Sequence, residues 1–206
     1  TFAPASESVS DGGRRLPSFS KGSKLIVVGA GAFGGWSALY LLRKGYQVTL
    51  IDAWGAGNSR SSSGDETRVI RSTYGGNETY FDLNVRALEL WKENQQTFGE
   101  EVFINTGVLW FCYEEKTPLV DDSLPFAARH GMNYEYLTPA EIEKRFPVIN
   151  RQDLHHAYYD PYGGYLKARV STQHVREAFI REGGNFIQRE VMPASTHPTE
   201  GILLSD

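Results

Sequence analysis

The sequence predicts an α/β protein that opens on a parallel βαβ unit. Three observations carry the prediction: an apolar, β-branched run at residues 24–28, a glycine-spaced junction at 29–34, and a second apolar run closing on Asp52. "KLIVVG" reads as a strand buried on both faces. "GAGAFGG" turns the chain into a helix, on which Trp36, Leu39, Tyr40 and Leu42 are spaced for one apolar face and Gly45 is the stop. "QVTLID", residues 47–52, is the second strand.

Gly29, Gly31 and Gly34 form G-x-G-x-x-G where strand meets helix. The first permits a tight turn, the second lets backbone approach a pyrophosphate, and the third lets the helix lie close on the strand. An anion placed there would meet unpaired N–H groups and the positive end of the helix dipole. Asp52 stands where a carboxylate accepts hydrogen bonds from adenosine ribose hydroxyls, and its charge disfavours the 2′-phosphate of NADP. Strand, glycines, helix, strand and acid in that order point to a dinucleotide site. They do not separate FAD from NAD.

The next stretch, "SSSGDETRVIRSTYGG" at residues 61–76, sets Arg68 and Arg71 beside a run of serines. On a helix or turn, residues three apart share a face, so both guanidinium groups could enter one cavity. A solvated helix face is the competing reading. Tyr74 and Tyr80 could border such a cavity, although aromatic residues in these positions more often belong to a core. Further along, Thr138, Pro139 and Glu141 read as N-cap, first helical residue and capping-box acid. Ser171 reads as the cap of a helix that stops at Gly183 and Gly184, before a strand at "NFIQRE".

Composition narrows the function classes. The chain of 206 residues is 40% hydrophobic and 22% charged, ordinary for a globular protein, with a formal net charge of -4 that offers no basic field to nucleic acid. No apolar run approaches the roughly 20 residues needed to cross a bilayer. Cys112 stands alone, which excludes an intrachain disulfide and fits a reducing compartment. His130, His155, His156, His174 and His197 show no metal-ligand spacing and read as surface or loop residues. Residues 1–23, rich in Ser, Gly and Pro, read as a disordered or loosely attached leader. Arg14 and Arg15 are followed by polar "LPSFSKGSK" rather than the apolar region of an export signal. A cytoplasmic location is favoured, and export after removal of an upstream leader stays open.

From Lys24 onward the chain resembles the D-amino-acid oxidase superfamily of flavoproteins, most closely the monomeric sarcosine oxidase group. The serine-rich loop, "TRVIR" (67–71), "TYGG" (73–76) and "LNVRALELW" (83–91) carry the resemblance. "NTGVLWF" (105–111), "LTPAEIEKRFPVI" (137–149) and "DPYGGYLKARVSTQHVREAFIREGGNFI" (160–187) extend it. "GDETR" is one residue longer than the family's usual G-[DEQ]-[ST]-R.

The resemblance implies a glutathione-reductase-like, Rossmann-type FAD-binding domain with an inserted α+β substrate domain, truncated here. The FAD-binding parts would be 24–91 and 161–206, and the first part of the substrate domain 92–160. It implies FAD held by Gly29, Gly31, Gly34 and Asp52, with Ser61, Ser62, Ser63, Thr67 and Arg68 also facing it. Arg68 would lie close to the flavin, and Arg71 would reach the carboxylate of an amino-acid substrate. The implied reaction is oxidation of a secondary or N-methylated amino acid, with dioxygen as acceptor. A dehydrogenase with another acceptor and a non-catalytic nucleotide-binding fragment are the alternatives. Cys112 does not match the cysteine that bonds the flavin in some members. With relatives nearly twice as long, residues 1–206 alone are expected to be inactive.

Overall fold

The protein is described here by a computed structural model covering residues 20–192 and 203–205. Most of the expected leader, with Arg14 and Arg15, and also His197, lie outside those residues. In chain order the elements are β1 (Lys24–Val28), α1 (Ala32–Arg43), β2 (Gln47–Ile51), β3 (Thr67–Ile70), α2 (Glu78–Gln95), β4 (Phe103–Ile104) and β5 (Val108–Cys112). There follow α3 (Pro118–Asp121), α4 (Leu124–Arg129), β6 (Glu135–Leu137), α5 (Pro139–Arg145), β7 (His156–Asp160) and β8 (Gly164–Lys167). The last are α6 (Ala168–Arg181), β9 (Asn185–Ile187), β10 (Val191–Met192) and β11 (Leu203–Leu204).

The βαβ unit forms as its pattern requires. β1 and β2 are parallel, with Val27 opposite Leu50, and β9 adds to the other side of β2, also parallel, with Leu50 opposite Phe186. Lys44 and Gly45 close α1, and Gly45 takes the positive φ that the turn into β2 demands. α1 and α6 cover one face of this sheet, where Leu39, Val48, Leu50, Val175 and Phe179 form the largest apolar cluster. β1 departs from the expectation of burial on both faces: Ile26 is 51% and Val28 56% exposed. It is an edge strand covered by helices on one side, so its inward residues are Leu25 and Val27.

Two antiparallel sheets complete the site's surroundings. In one, β8 lies between β3 and β4, and in the other β7 lies between β5 and β6. Below the second, Leu137, Ile142, Leu154 and Ala157 form their own cluster. α5 begins with the reciprocal capping box read from the sequence, in which Thr138 N donates to Glu141 at 2.8 Å and Glu141 N to Thr138 Oγ1 at 3.4 Å. The expected cap of α6 is displaced. β8 runs into the helix without a loop, so Lys167 occupies the cap and Ser171 lies one turn inside, its hydroxyl donating to the Ala168 carbonyl at 2.9 Å. Arg43 ties the helices together through both Glu182 oxygens at 2.7 Å and Asn94 at 3.0 Å. Among the described residues no helix is long and apolar enough to cross a membrane.

Candidate functional site

The glycine junction is built around close backbone approach. Gly29 has φ +97, a conformation L side chains rarely adopt, and its N–H donates to the Ile51 carbonyl at 2.7 Å. A Cβ on Gly34 would collide with the Gly29 carbonyl oxygen and lie 3.0 Å from its carbon, so only glycine lets α1 start this close to β1. A Cβ on Gly31 would lie 3.2 Å from the Ser63 hydroxyl and 3.3 Å from that of Ser61. Asp52 holds the junction from the far strand, since Oδ2 accepts from Ala30 N at 2.8 Å and Oδ1 from Trp54 N at 2.9 Å. A carboxylate has about four lone-pair positions, so acceptor capacity remains for sugar hydroxyls.

The serine loop folds back over the start of α1. Ser63 Oγ accepts from Ala32 N at 2.9 Å, supplying the helix with the cap that its own Gly31 lacks. Ser61 Oγ accepts from Ser63 N at 3.1 Å, and the exposed Ser62 offers its carbonyl to Arg68. Beside it an open cleft of about 230 Å³ is lined by Phe33, Ser62, Ser63, Arg68, Trp91 and Thr172, among others. Phe33, on the first turn of α1, is 94% exposed at its rim. Glycines that exclude side chains, helix amides, hydroxyls and a carboxylate at the end of β2 are the donor and acceptor set that a dinucleotide needs.

The two arginines do not share a helical face. Residues 67–70 are strand β3, where side chains alternate, and Arg71 is the first residue beyond it, so the helical spacing of three does not apply. Thr67, exposed, pairs with Lys167 across the sheet. Arg68 is committed to the loop: Nε donates to Ser62 O at 3.0 Å, and Nη1 to Thr67 O at 3.0 Å and Asp65 Oδ2 at 3.2 Å. That contact holds the Asp65 carboxyl below its usual range, after the larger effect of the Glu66 amide. Arg71 is different. Its guanidinium lies 4.7 Å from the Tyr74 ring and 5.3 Å from the Trp110 ring, and among the described residues none of its N–H groups meets an acceptor. Arg71 does not line the cleft that Arg68 lines. Tyr80, for which the sequence left a cavity border and a core position both open, is 56% exposed and lies 5.6 Å from Tyr74, ring to ring.

Sequence reasoning missed a buried polar group at the end of β7. Asp160 is fully buried at the end of β7, where Oδ1 accepts from Tyr162 N at 2.9 Å and Gly163 N at 3.3 Å while Oδ2 has no partner among the described residues. Burial holds this carboxyl above the ordinary range, with the two amides and then the nearby Tyr134 hydroxyl opposing, although the phenol does not reach Oδ2 in normal hydrogen-bond geometry. The neighbouring Tyr134 phenol is pushed up by burial and then by Asp160, and Thr73 Oγ1 donates to it at 3.4 Å. The Asp-Pro-Tyr-Gly-Gly stretch was visible, but its burial was not. His156 corrects the surface reading of the histidines: it is buried on β7, 5.0 Å from the Tyr136 ring, and burial, followed by His155, lowers its pKa.

Asp160 gives a pH-dependent expectation. Its folded-state pKa is raised, so its contribution to stability is fully present below the unfolded pKa and is lost as pH rises through the folded one. Asp160→Asn keeps the acceptor for both amides and removes the buried charge. Thermal melts should find the variant more stable at pH 7 by on the order of 1 kcal/mol, with the gap closing towards pH 4. A constant gap across that range would contradict this account.

Similarity to known proteins follows the same residues. A family model described as FAD dependent oxidoreductase matches residues 24–200. Monomeric sarcosine oxidase of an Arthrobacter species is 31% identical over 170 residues, which is 82% of this chain and 44% of that protein. N-methyl-L-tryptophan oxidase of Yersinia pestis is 28% identical over 159 residues, 77% of this chain and 43% of the relative. Among solved structures, L-proline dehydrogenase from P. horikoshii superposes with a TM-score of 0.72 at 22% identity, covering 90% of this chain and 51% of that one, a likeness of fold. The chain spans less than half the length of the curated relatives it matches.

Proposed function

Because the chain belongs to the DAO family of FAD-dependent oxidoreductases, we propose that it oxidises a secondary or N-methylated amino acid with FAD as cofactor and dioxygen as acceptor. The observation that carries the substrate class is Arg71, a half-buried arginine walled by two aromatic rings, whose donors meet no acceptor among the described residues. Its planar fork suits a carboxylate held by two parallel hydrogen bonds, and it stays charged at any working pH. The relatives' names include two oxidases of N-methylated amino acids, which supports an amine of that kind here.

In this reading Gly29, Gly31, Gly34 and the first amides of α1 hold the pyrophosphate, with Ser61, Ser62 and Ser63 closing over it and Asp52 taking the ribose hydroxyls. Thr67 and Arg68 border the flavin end. Residues 24–91 and 161–206 serve the cofactor, and 92–160 begin the substrate domain. The chemistry supplied by bound FAD is two-electron acceptance: hydride leaves the carbon beside the amine, the resulting imine is hydrolysed, and dioxygen is reduced to hydrogen peroxide. The chain's own residues orient the substrate and set the field around it.

The test is direct. Purified in full length rather than as residues 1–206 alone, the protein is expected to absorb near 450 nm, to bleach anaerobically with an N-methyl amino acid, and to form peroxide in air. Bleaching without peroxide would replace dioxygen by another acceptor, and no bleaching with any amino acid would refute the proposed function.

A further inference from the structure

Arg71 is fixed by walls that are themselves fixed. Tyr74 follows it in the loop, where its N–H donates to Ser123 Oγ at 3.1 Å. Ser123 is fully buried, and its hydroxyl faces the carbonyls of Gly75 and Leu119 at 3.0 and 3.1 Å. Trp110 comes from the other side, from the middle of β5, paired with Tyr158 of β7. Its Nε1–H is buried and has no acceptor among the described residues. An indole with an unmet donor is costly to bury, so the ring face rather than the N–H is what the position uses.

From this arrangement we infer that Trp110 is a positioning residue: its ring, with that of Tyr74, holds the Arg71 guanidinium in one plane, leaving the N–H edge for a planar carboxylate. The inference rests on the carboxylate role proposed for Arg71. A guanidinium free to turn must be ordered when the ligand binds, whereas one stacked against fixed rings is ordered beforehand. Rings lying over its faces also shield them in part from solvent, which strengthens the in-plane bonds.

The experiment is equilibrium titration of the protein with propionate, and with propionamide as the uncharged control. Trp110→Leu, which keeps an apolar side chain in β5, should weaken propionate about tenfold and leave propionamide unchanged. Trp110→Phe, which keeps a ring face and removes the unmet donor, should restore propionate affinity to within about twofold. In an Arg71→Met background, Trp110→Leu should have no further effect on propionate. Unchanged propionate affinity in Trp110→Leu, together with a large loss in Arg71→Met, would overturn the positioning role alone. An equal loss in the Phe and Leu variants, or the full tenfold loss in the Arg71→Met background, would also overturn it. If Arg71→Met itself binds propionate normally, the carboxylate role fails and the inference falls with it.

Discussion

Gly34→Ala is expected to destabilise the protein by about 3 kcal/mol and to abolish flavin binding. The added methyl group would meet the Gly29 carbonyl, which is backbone and cannot swing aside. Relief requires either unwinding the first turn of α1 or lifting the helix from β1. Lifting it would open the contact of Gly35 with Val175 and expose Ala38 and Leu39, both fully buried. Gly31→Val separates binding from stability, because its nearest neighbours are the hydroxyls of Ser61 and Ser63. Those side chains can rotate, so this variant should fold and melt within about 1 kcal/mol of the parent while purifying without yellow colour. Melting curves and the absorbance near 450 nm check both. A Gly34→Ala protein melting at the parent temperature would show that the helix start is looser than its geometry.

Arg71→Met should keep its flavin and lose roughly 30-fold to 1000-fold in kcat/KM for amino acids, the effect of removing a bidentate charged contact of about 2 to 4 kcal/mol. For an amine of similar shape without the carboxylate, the loss should nearly vanish. Arg68→Met is expected to behave differently, because that side chain ties Ser62, Asp65 and Thr67 into one loop. Its removal should weaken flavin retention with little regard to substrate charge. Steady-state kinetics on matched amines, beside a flavin release assay, distinguish the two. Equal losses for carboxylated and uncarboxylated amines in Arg71→Met would remove the substrate role.

The legible parts of this protein are those in which neighbours in sequence are neighbours in space. The glycine junction, the helix stop at Gly45 and the capping box at Thr138 depend on local spacing, and each formed where its residues stood. Arg68 and Arg71 were assigned the wrong periodicity. "TRVI" is strand because β8, almost a hundred residues later, pairs with it, and nothing within the segment announces that partner. The same distance hid Trp110 as a wall of Arg71 and the burial of Asp160 and His156, which follow from how β5, β6 and β7 pair. Ser171 was misread because a serine before an amphipathic run resembles a cap, whereas the strand before it enters the helix without a loop.

The place of β9 in the first sheet sets a timetable for the nascent chain. β2 offers its second edge to a strand whose Asn185 lies 136 positions beyond Thr49, and the Ile187 carbonyl receives the Asp52 amide at 3.1 Å. At about 5–20 residues per second, translation takes on the order of 10 s to cover that interval, far longer than a βαβ unit needs to collapse. During those seconds the hydrogen-bonding edge of β2 stands open, beside apolar Leu50 and Ile51, and is a template for any other extended chain nearby. Yield on expression should therefore depend on how fast residues 52–185 are made and on whether a chaperone shields the edge meanwhile, even where equilibrium stability is unchanged.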